Sequence, residues 1–323
     1  MSSIFSISGN ADFEQNCLAT FRKQAVECEP YARYVSLLGV DVQSVAKVEQ
    51  IPFLPIELFK SEQIVCGGAE PQVTFTSSGT TGTETSRHLV TDVAIYEQSF
   101  LLGFEHFYGS PSKYCILALL PSYLERQGSS LVYMVERLVK ESENSNSGFF
   151  LYNYEELVLV LQKMQAEKQP TLLIGVTFAL LDLVEKHTII FPDLVVMETG
   201  GMKGMRRELP REELHSLLCR ELGVKSIHSE YGMTELLSQG YSSGSGIFYC
   251  PPWMKTIIRD ANNPFMQAPF GAIGGINAVD LANQNSCSFI QTQDLGRALP
   301  NGGFEVLGRM DKSQARGCNM LMS

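Results

Sequence analysis

The run TLLIGVTFALLDLV (residues 171–184) is the most apolar stretch of the chain, and the prediction of the fold starts from it. It is too short to cross a bilayer as a helix, and it carries Asp182. Its first six residues, TLLIGV, have the length of a strand, and the remainder has the spacing of a helix. The stretch therefore predicts a buried strand that runs into a helix.

Strand and helix patterns alternate along the chain on both sides of this stretch. Apolar runs of strand length recur at YCILALL (114–120) and LVVMETG (194–200), and helical patterns cover residues 129–142, 154–168 and 211–222. Apolar strands that alternate with amphipathic helices are typical of a parallel sheet covered on both faces. We predict an α/β fold of mostly parallel sheets covered by helices.

The two ends of the chain have different patterns. Residues 11–40 place apolar groups three and four positions apart around Pro30, which predicts two amphipathic helices. Residues 51–60 (IPFLPIELFK) read as an extended segment punctuated by prolines. The last part of the chain is rich in turns and predicts antiparallel strands or hairpins.

These patterns predict one domain over residues 1–323. It would consist of a helical N-terminal segment (1–70), an α/β core (71–245) and a β-rich part (246–323).

Composition excludes several classes of function. The net charge of −10 and the pI near 5.1 argue against nucleic acid as the main partner, since there is no basic surplus to neutralise phosphates. The N-terminus lacks a basic region followed by an apolar one, so no secretory signal is expected. The eight cysteines show no C-x-x-C spacing, which favours reduced thiols in the cytoplasm. We predict a cytoplasmic protein without a membrane span.

The segment TFTSSGTTGTETSRHLV (74–90) concentrates small hydroxyl residues and glycines in one place. Such a stretch fits an ordinary turn, because Ser and Thr bond to nearby backbone and Gly admits positive φ. It equally fits a phosphate cradle, in which amides and hydroxyls point at anionic oxygens. The lysine-containing nucleotide P-loop is absent. Taken alone, the segment leaves both readings open.

Further unusual stretches follow in order. HSEYGMTELLSQGYS (228–242) places Y-G-M-T-E ahead of a predicted helix, and an ordinary helix start would explain it equally well. TQDLGR (292–297) and GFEVLGRMDKSQARGC (303–318) place an Asp and several Arg in a turn-rich region, where solvated hairpin turns are the alternative.

The ordered set of these motifs resembles the adenylate-forming superfamily. In order along the chain, the set comprises T-S-S-G-T-T-G, the Gly-Gly of ETGGMKG (198–204), Y-G-M-T-E, D-L-G-R and G-R-M-D. Within the superfamily the sequence is most similar to the acyl-protein synthetases of luminous bacteria and their non-luminous relatives. LLPSYLERQGSSLVYM (119–134) and the terminal RGCNM add to this likeness, and phenylacetate–CoA ligases come next.

The resemblance implies a fold and a reaction. The fold would be the large N-terminal-type domain of adenylate-forming enzymes without their small lid domain, since the sequence ends at Ser323. The reaction would use ATP and Mg²⁺ to convert a carboxylic acid, of fatty-acid type, into an acyl-adenylate, after which a thiol takes the acyl group.

The resemblance also implies roles for individual residues in binding the nucleotide. The phosphates of ATP are assigned to Thr76, Ser77, Ser78, Gly79, Thr80, Thr81 and Gly82. Tyr231, followed by Gly232, would stack on adenine, and Gly200 and Gly201 would lie along the edge of the base.

The remaining nucleotide contacts follow from the later motifs. Asp294 would accept hydrogen bonds from the ribose hydroxyls, and Arg309 would donate to ribose or phosphate. Thr234 would contact the α-phosphate, and Glu235 would be the Mg²⁺ ligand. Burial as plain core is the alternative for Tyr231.

Two departures from the superfamily's pattern concern positive charge. The phosphate loop lacks the usual Pro-Lys, and Arg87 or His88 could replace the lysine. The lid domain's catalytic lysine has no counterpart, so either another cation, such as Arg87, Lys203 or Arg316, acts at the reacting phosphate, or adenylation is slow.

Cys318 occupies the place where the resembling family carries the cysteine that accepts the acyl group before an acyl-reductase partner takes it. A nearby guanidinium, that of Arg316, would favour its thiolate. A free thiol at the end of the chain is the alternative. A phenylacetate-type acyl-CoA ligase and a non-catalytic acyl-adenylate-binding subunit are the competing functions.

The acid pocket is the part of the site least defined by the sequence. Candidate lining residues are Tyr123, Glu125, Arg126, Phe149, Phe150, Met197 and Trp253. The same aromatic and Met residues would serve equally as core.

Overall fold

The computed structural model describes residues 4–77, 85–121, 127–151, 153–200 and 209–310. The helices in these ranges are α1 (Asn10–Glu27), α2 (Glu29–Leu37), α3 (Leu58–Ser61), α4 (Val93–Tyr108), α5 (Ser130–Glu141), α6 (Tyr154–Ala166), α7 (Thr177–Lys186) and α8 (Arg211–Leu222). Short 3₁₀ turns cover Ile4–Ser6, Val48–Gln50 and Pro111–Lys113.

The strands of these ranges are β1 (Leu54–Pro55), β2 (Val73–Thr76), β3 (Arg87–Val90), β4 (Cys115–Leu119), β5 (Gly148–Phe149), β6 (Thr171–Gly175), β7 (Val195–Thr199), β8 (His228–Tyr231), β9 (Gly240–Ser242), β10 (Ile247–Phe248), β11 (Met254–Arg259), β12 (Ile273–Asp280), β13 (Phe289–Ala298) and β14 (Phe304–Arg309).

The central sheet has the order β5-β4-β6-β7-β8-β9 and is parallel except for the pair β8–β9. All residues of β4 and β6 are buried, because helices cover both faces. One face packs with α4 and α5, and the other with α6, α7 and α8. The prediction of an α/β fold with a mostly parallel, covered sheet is confirmed.

The stretch from which the prediction started forms β6 and α7, as expected. Gly175 ends the strand where space is tightest, since a Cβ there would lie 2.8 Å from the Cβ of Leu119. Only a glycine therefore allows β4 and β6 to keep this spacing at the point where the chain turns into the helix.

Side chains at the ends of several helices explain why the helices begin or end where they do. The side chains of Asp92, Ser129 and Asn153 accept hydrogen bonds from backbone amides in the first turns of α4, α5 and α6. Gly223 ends α8 in the left-handed region, with φ +69°.

A second sheet, with the order β10-β14-β13-β12-β11, is antiparallel, and β1 joins β13 in parallel. This sheet is the predicted β-rich C-terminal part. The strands β2 and β3 form a separate hairpin that carries the Ser/Thr/Gly segment. The predicted helices around Pro30 are α1 and α2, and Pro30 lies in the first turn of α2.

The predicted helix after Glu235 is wrong. Residues 232–239 form turns that lead into β9. The backbone amides of Leu237 and Ser238 donate to Asp280 Oδ2 at 2.7 and 2.9 Å, and the Ser238 hydroxyl donates to Oδ1 at 2.6 Å. Because a buried carboxylate satisfies these amides, the segment does not need a helical ladder.

No helix in the described ranges has both the length and the apolar character needed to cross a bilayer.

Candidate nucleotide and acid site

Tyr231, Asp294 and Arg309 form a connected group where the two large sheets meet. Tyr231 ends β8, and its hydroxyl donates to Asp294 Oδ2 at 2.9 Å. Asp294 lies opposite Arg309 in the register of β13 and β14, and Arg309 Nε is 3.5 Å from Asp294 Oδ1. The arrangement fixes a carboxylate between a phenol and a guanidinium.

The two charged side chains of this group differ in their exposure to solvent. The Asp294 side chain is 14% exposed and that of Arg309 is 78% exposed. Burial raises the pKa of Asp294, and the hydrogen bond from Tyr231 and the charge of Arg309 oppose that rise. The ring of Tyr231 packs edge-on against Phe248 and Phe304, so this side chain is part of the core while its hydroxyl bonds to Asp294.

Glu235 is buried close to this group. Burial raises the pKa of its carboxyl, whereas a hydrogen bond from Ser86 and the charge of Arg309 act in the opposite direction. The charge of Asp294 also raises the pKa of Glu235, so the two carboxylates are electrostatic neighbours. Glu235, Asp294 and Arg309 therefore belong to one site.

Ser86 connects Glu235 to the β2–β3 hairpin. The amide of Ser77 donates to the carbonyl of Ser86 at 3.1 Å, and the amide of Ser86 donates to Ser77 Oγ at 3.0 Å. Thr76 is held from the other side, where its amide donates to the carbonyl of Gly128 at 2.7 Å. The hairpin thus brings the start of the predicted phosphate loop beside Glu235.

The two cations considered for the phosphate loop lie in different environments. His88 is buried, and its Nδ1 donates to the carbonyl of Thr234 at 2.8 Å. Burial lowers the pKa of His88 to about 4, so the ring is neutral near pH 7 and cannot supply the missing charge. Arg87 is exposed on β3, opposite Thr76. Of the two, Arg87 stays as the predicted cation.

Gly200 follows β7 at the carboxyl end of the central sheet and has φ +68°. Its carbonyl accepts from the Thr177 hydroxyl at 2.8 Å, and the same hydroxyl donates to Glu198 Oε1 at 2.8 Å. On the neighbouring strand, Gly232 follows Tyr231, and a Cβ at Gly232 would lie 2.3 Å from Glu230 Oε1. A larger residue at Gly232 would displace the Glu230 carboxyl.

Several predicted site residues lie outside the described residues. These are Ser78, Gly79, Thr80, Thr81, Gly82, Gly201, Lys203, Arg316 and Cys318, together with Tyr123, Glu125 and Arg126. Their assignments stay predictions from the sequence.

The described candidates for the acid pocket do not share one surface. Phe150 belongs to the core beneath α6–α8, whereas Met197 and Trp253 belong to the opposite core layer. Trp253 Nε1 donates to Ser99 and Ser238, so the indole is fully engaged in the core.

Ser86 is the site residue that the sequence did not single out. It lies one position before Arg87 within a motif-rich segment, but only the fold places it beside a glutamate far along the chain.

A cavity of about 340 Å³ lies elsewhere on the molecule. It opens between residues 34–53 and the strands β11 and β12, with Leu38, Phe53 and Arg259 in its lining. None of the predicted site residues borders it.

Glu230 is half-buried on β8, next to Tyr231. Burial and the neighbouring charge of Glu198 raise the pKa of Glu230 to about 8. Burial raises the pKa of the phenols of Tyr96, Tyr108 and Tyr241, and the charge of Glu230 raises it further. An uncharged Glu230 is therefore the prevailing form near pH 7.

We expect Glu230→Gln to stabilise the protein more at alkaline than at acidic pH. Below about pH 4.5 the Glu230 carboxyl is protonated in both the folded and the unfolded protein. Between about pH 4.5 and pH 8 this carboxyl is ionised in the unfolded chain and stays protonated in the folded protein. The free energy of unfolding of the parent therefore falls across this window, by about 1–2 kcal/mol after allowance for partial exposure. Urea unfolding at pH 5 and pH 8 measures the difference.

The matched control for this comparison is Glu70→Gln at an exposed position, which should follow the parent at both pH values. An equal effect of Glu230→Gln at pH 5 and pH 8 would show that the carboxyl ionises normally.

Comparisons with known proteins agree with the likeness in sequence. The sequence model of the family described as "Acyl-protein synthetase, LuxE" matches residues 8–323. A search of curated proteins found no match.

Solved structures of adenylate-forming ligases share the fold. ATP-bound MatB from Rhodopseudomonas palustris aligns with a TM-score of 0.54 and 17% identity, over 73% of this chain and 47% of MatB. 2-Hydroxyisobutyryl-CoA ligase in complex with 2-HIB-AMP aligns with a TM-score of 0.69 and 13% identity, over 96% of this chain and 71% of the ligase. The chain thus spans about half the length of MatB.

Proposed function

The chain belongs to the acyl-protein synthetase (LuxE) family, and from this premise we propose that it activates a carboxylic acid with ATP and passes the acyl group to a cysteine thiol of a protein. The observation that carries the proposal is the joined group of Tyr231, Asp294, Arg309 and Glu235 beside the Ser/Thr/Gly hairpin.

The chemistry explains why a nucleotide site is needed. A carboxylate is a poor acyl donor, because oxide would have to leave. In the first step a carboxylate oxygen bonds to the α-phosphorus of ATP, and the bond to pyrophosphate breaks. In the second step a thiolate attacks the acyl carbon of the mixed anhydride, and AMP leaves with the bonding electrons.

The described residues suit the binding of a nucleoside. Asp294 has its Oδ2 occupied by Tyr231, and its Oδ1 faces the exposed Arg309. A carboxylate fixed in this way can accept hydrogen bonds from the two ribose hydroxyls. Arg309 is exposed, so its guanidinium is accessible to an oxygen of the ribose or the phosphates.

Glu235 is the residue that would hold Mg²⁺. A single carboxylate fits this ion, which is usually bound by one or two carboxylates and by the phosphates of the substrate. When bound, Mg²⁺ would neutralise charge on the phosphate oxygens. Ser86 favours the ionised form of the Glu235 carboxyl, and His88 Nδ1 donates to the carbonyl of Thr234.

The acceptor thiol is assigned to Cys318 because of its likeness to the family's C-terminal acceptor cysteine, and the burial of the described cysteines supports the proposal. Burial raises the pKa of the thiols of Cys17, Cys115, Cys219, Cys250 and Cys287. A hydrogen bond with Cys28, followed by burial, raises the pKa of the Cys66 thiol. The hydrogen bond with Cys66 lowers the pKa of the Cys28 thiol, but Cys28 is fully buried, so a substrate cannot reach it. A thiol must ionise and be reached by the acyl-adenylate to act as a nucleophile.

The test is to incubate the protein with ATP, Mg²⁺ and a labelled fatty acid, without coenzyme A. A label on the protein that hydroxylamine removes supports the proposal. Turnover that depends strictly on coenzyme A would contradict it and favour an acyl-CoA ligase, the activity for which 2-hydroxyisobutyryl-CoA ligase is named. Absence of both label and turnover with every acid would favour a subunit that only binds acyl-adenylate.

We expect Asp294→Ala to weaken ATP binding by at least about tenfold. A buried charged acceptor contributes on the order of 1.5–3 kcal/mol per hydrogen bond, and tenfold corresponds to about 1.4 kcal/mol. Isothermal titration with ATP measures the change in Kd.

The matched control for Asp294→Ala is Asp92→Ala, which removes the cap of α4 and leaves the site intact. It should bind ATP like the parent. Equal affinity of Asp294→Ala and the parent would remove Asp294 from the nucleotide site.

A further inference from the structure

We propose that Cys28 and Cys66 form a site of reversible oxidation, at which a peroxide converts two neighbouring thiols into a disulfide. Both cysteines are free in the structure, and the proposed reaction uses neither of them. The proposal therefore goes beyond the proposed function and does not depend on it. We call these two residues the thiol pair.

The backbone places the two residues of the thiol pair opposite each other. Cys28 and Cys66 form an isolated antiparallel bridge. Neither cysteine amide donates to the other cysteine, whereas the amide of Gly67 donates to the carbonyl of Glu27 at 2.8 Å. The bridge is therefore of the non-hydrogen-bonded kind, and pairs of this kind have Cα atoms about 4.5 Å apart. Since a disulfide needs a Cα separation of roughly 4.4–6.8 Å, it can form here without a large movement of the backbone.

The two thiols are in contact and differ in their affinity for a proton. A hydrogen bond with the Cys66 thiol lowers the pKa of the Cys28 thiol, although burial acts in the opposite direction. The same hydrogen bond, followed by burial, raises the pKa of Cys66. Cys28 also occupies the N-cap position of α2, where the positive end of the helix favours a thiolate. Cys28 is therefore the nucleophile of the pair, and Cys66 holds the proton.

The other cysteines in the described ranges lack this environment. Burial raises the pKa of the thiols of Cys17, Cys115, Cys219, Cys250 and Cys287. The thiolate is the form that a peroxide oxidises, so these thiols are protected by their protonation. Cys28 is the described cysteine that combines a lowered pKa with a second thiol beside it.

The position of Cys66 suits it to the second step of disulfide formation. Its amide donates to the carbonyl of Asn285 at 2.9 Å, and its Sγ lies 3.3 Å from the carbonyl oxygen of Ser286. These contacts hold the Cys66 sulfur beside Cys28. An oxidised Cys28 sulfur would therefore meet a thiol at once, before a second peroxide could oxidise it further.

The thiol pair is buried but lies next to an exposed turn. Cys28 is 0% exposed and Cys66 is 6% exposed. Residues 67–70, directly after Cys66, are all exposed, and Gly67 and Gly68 have φ of +64° and +63°. Local opening of such a turn costs little compared with global unfolding, and it admits a peroxide, which is little larger than water. An acyl-adenylate is far too large to enter in this way.

The oxidation balances in two steps. In the first, the Cys28 thiolate attacks a peroxide oxygen, an S–O bond forms and the O–O bond breaks, and the leaving hydroxide is neutralised by the proton that Cys28 had released. In the second, the Cys66 sulfur attacks the Cys28 sulfur, the S–S bond forms and the S–O bond breaks, and the leaving hydroxide takes the Cys66 proton. Two thiols and one hydrogen peroxide thus give one disulfide and two waters. Thiol–disulfide exchange with a thiol reductant reverses the oxidation.

The experiment treats the folded protein with hydrogen peroxide, removes the excess with catalase and blocks the remaining thiols with iodoacetamide. Digestion without reductant and mass spectrometry then identify linked peptides. We expect a Cys28–Cys66 peptide pair that is two hydrogens lighter than the reduced peptides and that dithiothreitol separates. Cys28 should be oxidised at least about tenfold faster than Cys17, since a thiolate is the reactive form.

Thermal unfolding gives a second readout of the link. A disulfide that closes residues 28–66 restricts the unfolded chain, so the oxidised protein should melt about 5 °C higher than the reduced protein. Addition of dithiothreitol should remove this difference.

Variants separate the roles of the two thiols. Cys66→Ala should abolish the linked peptide and the rise in melting temperature, and should leave a sulfenic acid at Cys28 that dimedone labels. Cys17→Ala is the matched control, because Cys17 is a buried thiol on the neighbouring helix α1. This variant should keep the Cys28–Cys66 link.

The unmodified protein decides the proposal, so a variant that fails to fold leaves the test intact. Recovery of Cys28 and Cys66 as unlinked peptides after peroxide treatment would overturn it, as would a link from Cys28 to Cys287 or Cys318. The same preference for the Cys28–Cys66 link in urea-unfolded protein would also overturn it, because the fold would then not be its cause. These outcomes do not depend on pyrophosphate exchange, so failure of the proposed function would leave the proposal standing.

Discussion

Glu235→Gln should lower acid-dependent pyrophosphate exchange by about a hundred- to a thousandfold. Removal of one preorganised group that stabilises developing charge typically costs about 3–4 kcal/mol of transition-state stabilisation. Glu235 is the carboxylate assigned to Mg²⁺, and an amide is a much weaker ligand for this ion. Binding of AMP should change little, because the nucleoside contacts are assigned to Tyr231 and Asp294.

A loss of activity in this variant should not arise from unfolding. Burial raises the pKa of Glu235, so the ionised carboxyl destabilises the folded protein above its ordinary pKa. A neutral glutamine of the same shape removes that cost. The melting temperature of Glu235→Gln at pH 7 should therefore equal or exceed that of the parent.

The matched control for Glu235→Gln is Glu29→Gln, because Glu29 is exposed and forms its ion pair with Arg33, far from the candidate site. It should exchange pyrophosphate like the parent. If Glu235→Gln also exchanges at the parental rate while remaining folded, Glu235 does not bind the metal and another carboxylate must be sought.

Cys318→Ser should abolish the hydroxylamine-labile label and keep pyrophosphate exchange within about twofold of the parent. A neutral hydroxyl is a far poorer nucleophile than a thiolate, and no base is assigned to it. The residues assigned to activation lie between positions 76 and 309, so the first step should not depend on the substituted thiol. The two measurements are the exchange of labelled pyrophosphate into ATP and the amount of hydroxylamine-labile label on the protein.

Cys219→Ser is the matched control for this separation of steps. Cys219 is a partly exposed thiol on α8, and burial raises its pKa. This variant should keep both exchange and label. A label that survives in Cys318→Ser, or that is found by peptide mapping on Cys250 or Cys287, would remove Cys318 from the mechanism.

The strands of the central sheet and the helices that cover it could be predicted because short-range sequence patterns determine them. The strand-to-helix transition at residues 171–184 and the helices α5, α6 and α8 follow from apolar periodicity and from capping residues such as Ser129 and Asn153. These features depend on neighbours within a few residues, and a sequence displays them directly.

The conformation of the segment after Glu235 depends on a residue far away in the sequence. Its pattern MTELL predicts a helix, but Leu237 and Ser238 bond to Asp280, which lies 43 and 42 residues away in sequence. The hydrogen bonds to the buried Asp280 carboxylate outweigh a weak preference for helix. No residue near Glu235 in the sequence indicates that these bonds form.

Long-range pairing also decides the parts of the site that the sequence did not reveal. The motifs identify Tyr231, Asp294 and Arg309 as members of a set, but the bond between Tyr231 and Asp294 depends on how the two sheets meet. Likewise, Thr199 lies opposite Glu230, and Glu230 lies opposite Tyr241, only because β7, β8 and β9 pair in one register.

The central claim is that this site activates a carboxylic acid with ATP, and acid-dependent exchange of labelled pyrophosphate into ATP by the unmodified protein tests it most directly. We predict exchange that requires both Mg²⁺ and a carboxylic acid. Exchange that is absent with every acid, in a protein that still binds ATP, would contradict the account and identify the chain as a nucleotide-binding protein without this activity.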